Sequence, residues 1–262
     1  TESGSIMTFH SPAEEYVSAL FCFLSGVNFT LLYASVIGMD IKKLFKNSEF
    51  RFYTIMVLSF TIFITFELVW RNHYDIEHAF RSAIFQVVSF ITTTGLFSDD
   101  AGKWPHVTWV VLAACMFFCG CSGSTSGGLK SIRGVMLLKV VRNEFRQILH
   151  PNAVLPMKID GVNISQSKRV TLLGFVGLYL ILTLFCAFTM IALGIDNTNA
   201  ITITLSCLGN VGPTLGMEIG PTMSWAQLPD FAKWICSFLM LVGRLELFTV
   251  LVLFTPAFWK KN

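Results

Sequence analysis

Charge is scarce in this chain. Asp, Glu, Lys and Arg make up 13% of its 262 residues, where an ordinary soluble domain carries roughly a quarter. So few ionic groups cannot cover a water-exposed surface, which argues against a soluble globular protein. The formal net charge of +3 is too small to serve a polyanion, so no nucleic-acid partner is expected. Histidine is sparse too, with five residues. Cys115, Cys119 and Cys121 have no imidazole beside them and do not complete a metal-ligand set. With Cys22, Cys186, Cys207 and Cys236 they lie mostly in apolar segments, as small hydrophobes. No nucleophile–base pair occurs within those segments, so the chain is not expected to be an enzyme. No signal-peptide pattern is present. The first residue is not Met, and the polar stretch 1–12 reads as a chain entered mid-protein.

Apolar sequence is plentiful instead: 53% hydrophobic residues and 14% aromatic, with a mean hydropathy of +0.64. It falls in runs of about twenty, the length that crosses a ~30 Å hydrocarbon core as a helix. Five crossing helices are expected, over residues 13–39, 52–70, 104–149, 170–193 and 231–258. Two shorter apolar segments, 77–91 and 197–208, lead into glycine-bearing loops. Basic residues decide how these are arranged. Lys42, Lys43, Lys46 and Arg51, the eight between Lys130 and Arg169, and Lys260 and Lys261 account for most of the positive charge. The positive-inside rule places all three groups in the cytoplasm. Five crossings then put the N-terminal end outside and the C-terminus inside. Both short segments must enter from the outer face and return to it.

The first short segment ends in Thr92-Thr93-Thr94-Gly95, and the second in Gly209-Asn210-Val211-Gly212. Closely spaced carbonyl and hydroxyl oxygens held between membrane helices can replace the water shell of a cation. These eight residues are the expected potassium filter. Gly95 and Gly212 are its most constrained positions, since a β-carbon there would restrict the backbone that presents the oxygens. The plainer alternative for either copy is a polar turn capping a short helix. Asp99, Asp100, Asp196, Glu218 and Asp230 flank the outer mouth. Together they would concentrate cations, although each alone reads as an ordinary solvated loop charge. His73, Asp75, Glu77 and His78 read as a solvated linker.

The 104–149 segment is interrupted by Gly120, Ser122, Gly123, Ser124, Thr125, Ser126, Gly127 and Gly128, followed by Lys130. Irregular backbone is prohibitive in lipid, so it must face protein or water below the filter. It is expected to act as an intramembrane gate; a kink for close helix packing is the alternative. A phosphate-binding loop is ruled out, because Leu129 separates Gly128 from Lys130. Arg244 falls mid-helix in the last crossing segment. At bilayer centre it would cost about 2.5–3.5 kcal/mol, so it needs the pore or a carboxylate. Glu246 is too close in sequence to share its face.

The pattern repeats. Residues 50–159 and 160–262 each read as helix, re-entrant helix, glycine loop and helix, and residues 1–49 as the last helix of a preceding unit. Two and a fraction units cannot enclose an axis. Either several chains assemble, or the chain is the C-terminal part of a four-unit polypeptide.

Thr92-Thr-Thr-Gly95, Gly120-Cys-Ser-Gly-Ser-Thr-Ser-Gly-Gly-Leu-Lys130, His150-Pro-Asn-Ala-Val, Asn210-Val-Gly-Pro-Thr-Leu-Gly216, Gly243-Arg-Leu-Glu-Leu-Phe-Thr and Thr255-Pro-Ala-Phe-Trp259 resemble the membrane subunit of Trk-type potassium uptake systems, the TrkH branch of the Trk/Ktr/HKT superfamily. The resemblance implies an all-α membrane fold of four helix–pore-loop–helix units around a central pore. This chain would supply the end of the second unit, then the third and fourth. It also implies potassium uptake across a bacterial inner membrane, a homodimer, and a cytoplasmic nucleotide-binding ring of the TrkA type that opens the gate. Arg244 would face the pore beside the gate loop. The sequence departs from the family at Ser126-Gly127-Gly128, where three glycines are usual. A secondary transporter with discontinuous helices is the competing function class.

Overall fold

In a computed structural model, residues 5–9, 11–40, 42–152, 156–216, 225–245 and 247–259 are described. Glu218, Glu246, Lys260, Lys261 and the Ala153–Val154 end of the His150 motif lie outside them. Twelve α-helices among the described residues carry the architecture: α1 Pro12–Ser25, α2 Phe29–Ile37, α3 Lys42–Lys46, α4 Ser48–Asn72, α5 Ile76–Ile91, α6 His106–Phe117, α7 Ser131–Leu149, α8 Gln166–Ala192, α9 Asn197–Gly209, α10 Asp230–Arg244, α11 Leu247–Val252 and α12 Pro256–Trp259. The strands are two-residue pieces. β1 Phe118–Cys119 pairs in parallel with β2 Leu129–Lys130, and β3 Lys158–Ile159 pairs antiparallel with β4 Val162–Asn163.

All five expected crossing segments are helical, but three are broken. Among the described residues, only α4 and α8 are long and apolar enough to cross a membrane alone; the pair α1–α2 makes a third only if its 101° bend is ignored. The bend follows from Gly26 ending α1 and Asn28 starting α2. Asn28 Oδ1 accepts from the Thr30 and Leu31 amides at 3.0 and 3.2 Å, satisfying donors that a helix start leaves open. The 104–149 segment is α6 and α7 separated by the glycine–serine run. The last segment is divided after Arg244, so Arg244 ends a helix and is not in the middle of one. A cation is well placed there, against the negative end of the helix dipole.

Burial separates the helix types. The short helices α5 and α9 are buried along most of their length. The long α4 and α8 keep broad exposed apolar faces, with Ile55, Ile62 and Phe66 on one and Ile181, Leu184 and Phe188 on the other. An apolar face this extensive suits hydrocarbon. Helix α5 packs between α4 and α1, while α9 packs between α8 and α10. Two hydrophobic clusters result. One is centred on Tyr53, Ile64, Phe90 and Leu112, the other on Tyr179, Met190, Ile203 and Leu239. Contact between α6 and α9 joins them.

Candidate pore loops and gate

The two loops repeat one pattern of positive φ. After α5, Thr93 takes a left-handed conformation (φ 55°), and after α9, Asn210 does so (φ 57°). Two residues later Gly95 and Gly212 also have positive φ, at 75° and 108°. A serine in the last turn anchors each loop. Ser89 O accepts from Thr94 N at 2.9 Å and Gly95 N at 3.4 Å. Ser206 O accepts from Val211 N at 2.9 Å, and Ser206 Oγ from Gly212 N at 3.0 Å. Ser89 and Ser206 were missed from the sequence, although they occupy equivalent positions before their glycines. Left-handed backbone strains any residue with a β-carbon. Its recurrence at Thr93 and Asn210, in different residue types, shows that the conformation and not the side chain is repeated.

The loops also meet. A β-carbon on Gly95 would collide with the Val211 carbonyl oxygen and come within 3.1 Å of Pro213 Cδ. Thr92 Oγ1 donates to Val88 O at 2.7 Å and lies 2.8 Å from Thr94 Oγ1, which holds the first loop against its helix. Gly209 and Val211 are buried.

Every residue expected in the gate lies in or beside one loop between β1 and β2. The β1–β2 pair closes its neck, and Ser131 N donates to Gly120 O at 3.0 Å. The loop is tied at one end to the Thr92–Gly95 loop, where Gly127 N donates to Thr93 Oγ1 at 3.0 Å. A side chain at residue 127 would press on Gly209 O at 2.5 Å. Laterally it is tied to the α1–α2 bend: Cys121 N donates to Gly26 O at 2.8 Å, and Phe29 N to Gly123 O at 3.3 Å. Internally, Ser124 Oγ donates to Cys121 O at 2.6 Å and lies 2.7 Å from Ser126 Oγ, and Lys130 Nζ donates to Ser126 O. Arg244 donates to Thr125 O at 2.7 Å. This backbone carbonyl is the partner that no sequence pattern could name.

Glu49 was also missed. Its side chain is buried at the start of α4, 5% exposed, and Oε1 accepts from both Ser122 N and Ile132 N. One carboxylate therefore holds the two ends of the loop. Between lysine and arginine in the sequence, Glu49 reads as a surface charge. Beneath the loop is a cavity of about 220 Å³, lined by Ser124 to Gly128, Lys130, Arg133, Gly243 and Arg244. Arg133 stacks 3.8 Å above the Phe175 ring.

The acidic residues at the opposite end are engaged locally. Asp99 accepts from Trp104 Nε1 at 3.1 Å, Asp100 from Gly102 N at 3.1 Å, and Asp196 from Thr198 N at 3.0 Å; Asp230 pairs with Lys233 at 3.0 Å. Glu77 pairs with Arg81 at 3.1 Å. No group of three or more His, Cys, Asp or Glu side chains able to hold a metal occurs among the described residues.

A family model described as TrkH, cation transport protein, matches residues 1–261. The chain belongs to the TrkH family. The Trk system potassium uptake protein TrkH of Salmonella typhimurium is 35% identical over 262 residues, which is all of this chain and 54% of the relative. That of Escherichia coli K12 is 34% identical over the same share. The crystal structure of the potassium transporter TrkH from Vibrio parahaemolyticus matches with a TM-score of 0.91 at 33% identity, covering 98% of this chain and 55% of that one. This TrkH-family chain therefore spans about half the length of the curated relatives it matches, and it is an all-α membrane protein.

Proposed function

We propose that this chain forms part of a potassium uptake pore in a bacterial inner membrane. Residues 50–159 and 160–262 serve as its third and fourth pore units, and residues 1–49 as the end of the second. One observation carries the proposal: two loops of matching backbone, following the two most buried helices, converge so closely that Gly95 leaves no room for a β-carbon beside Val211 O. Relatives of twice its length are named potassium uptake proteins, and potassium is the cargo assigned here.

Backbone carbonyls of Thr92, Thr93, Thr94 and Gly95 on one side, and of Gly209, Asn210, Val211 and Gly212 on the other, line the path and replace hydration. Positive φ at every second residue, Thr93 and Gly95 in one loop and Asn210 and Gly212 in the other, supports carbonyls that turn to a shared side. The Gly120–Gly128 loop is the gate, held shut from three directions by Thr93, Glu49 and Arg244. The cavity below it carries Lys130, Arg133 and Arg244, whose positive field opposes a departing cation. Opening requires the loop to leave its contacts with Thr93, Glu49 and Arg244 together, so these bonds set the closed population. A homodimer and a cytoplasmic nucleotide-binding ring complete the system; the ring docks on the basic end between Lys130 and Arg169 and draws the loop away. The C-terminus lies on that cytoplasmic side.

Flux into vesicles tests the proposal. The full-length protein should admit potassium and rubidium well ahead of sodium. Equal entry of sodium, or exchange of a larger solute without rubidium entry, would return the chain to the secondary-transporter class.

A further inference from the structure

A second cavity, of about 250 Å³, shares no residue with the one under the gate. It lies between the C-terminal half of α7 and the β3–β4 hairpin, and Lys139, Arg142, Asn143, Arg146, Met157 and Lys158 line it. Lys139 Nζ donates to Lys158 O at 2.7 Å, fastening helix to hairpin. Among the described residues, no hydrogen bond or ion pair occupies the side-chain charges of Arg142, Arg146 or Lys158. No carboxylate lines the cavity. Like charges gathered around one space repel unless an anion fills it.

The neighbouring face of α7 narrows the choice of anion. Leu138, Val141, Phe145, Ile148 and Leu149 recur at helical spacing and are all exposed. The helix thus offers a basic stripe and an apolar stripe side by side, the pattern of a helix that lies at a membrane interface. A free phosphate would use only the first stripe, whereas a phospholipid would use both. We propose that this cavity binds the phosphodiester headgroup of an anionic phospholipid, with the acyl chains along Leu138, Val141 and Phe145. Arg142 and Arg146 supply planar forks for the phosphate oxygens, and Lys158 closes the site from the hairpin.

The site has a route to the gate. At the hairpin tip, Asp160 accepts from Ser48 N at 3.0 Å and Asn47 Nδ2 at 3.2 Å, next to Glu49, which holds the gate loop. A bound lipid would brace the hairpin against α4. It also removes Lys139, Arg142, Arg146 and Lys158 from the residues open to the regulatory ring. The binding inference stands independently of the pore assignment.

Native mass spectrometry of the purified full-length protein, with phosphatidylglycerol or phosphatidylcholine added, tests it. Wild type should retain phosphatidylglycerol preferentially. Retention should weaken roughly fivefold for each of Arg142→Gln and Arg146→Gln. Lys158→Gln, in the hairpin and not the helix, should act in the same direction, while Lys168→Gln outside the cavity should leave lipid retention unchanged. Equal retention of the two lipids, or wild-type phosphatidylglycerol retention in the double arginine variant, overturns the proposal. So does inorganic phosphate binding that the double variant loses while its lipid retention persists, which would assign the site to a free anion. Loss of ring affinity with unchanged lipid retention overturns it in favour of a protein contact.

Discussion

The loop after α5 and the loop after α9 share their turn, their serine anchor and their two positive-φ positions, but they are fastened to different things. Thr93 accepts from the gate loop at Gly127, whereas Asn210 donates to Met240 O at 3.1 Å in α10. The helix following the first loop is interrupted by a long glycine–serine excursion; the helix following the second breaks only after Arg244. One backbone device has therefore been used twice, and the side chain at its left-handed position distinguishes the copies. The first copy is bonded to the glycine–serine loop, the proposed gate, and the second to α10.

The largest expected effect separates the two glycines. Gly95→Ala combines left-handed strain of about 1–2 kcal/mol with a collision against Val211 O. Gly212→Ala adds only strain, because no described residue lies within 4 Å of its β-carbon. Rubidium flux through full-length protein should fall by more than about tenfold in the first, the factor for ~1.4 kcal/mol, and by less in the second. Equal losses would mean that convergence of the loops is immaterial.

Next in size is Glu49→Ala, which orphans the Ser122 and Ile132 amides at about 1–3 kcal/mol each. Flux without the ring should rise about tenfold, and thermal stability should drop. A loss of stability with no leak would make Glu49 a structural residue only. The smallest effect is expected from Thr93→Val, which keeps the shape and removes one neutral acceptor worth ~1 kcal/mol. The leak should rise by about fivefold; an unchanged leak would erase the distinction between the two copies.

Much of this was legible in the sequence. Thr92–Gly95 and Gly209–Gly212 stand out because polar residues and glycine follow a short apolar segment in both places. The positions of α5 and α9 follow from their length alone. The bend at Gly26–Asn28 did not show, since apolar residues flank it on both sides and hydropathy is blind to direction. The end of α10 at Arg244 was hidden for the same reason. Glu49 was missed because its role lies in backbone amides brought from far along the chain, of which composition carries no trace; Ser89 and Ser206 were missed although each lies six residues before its loop glycine, because a serine near a helix end is commonplace. Arg244 was singled out by the cost of its charge, but its acceptor is a carbonyl, present at every residue and so marked at none.

The central claim is that the two loops present their oxygens to a shared ion. Anomalous diffraction from crystals of the full-length protein in rubidium tests it most directly. The account predicts a rubidium peak between the Thr92–Gly95 and Gly209–Gly212 backbones, within coordinating distance of carbonyls from both. Rubidium bound by one loop alone, or absent from both while ordered elsewhere, would contradict it.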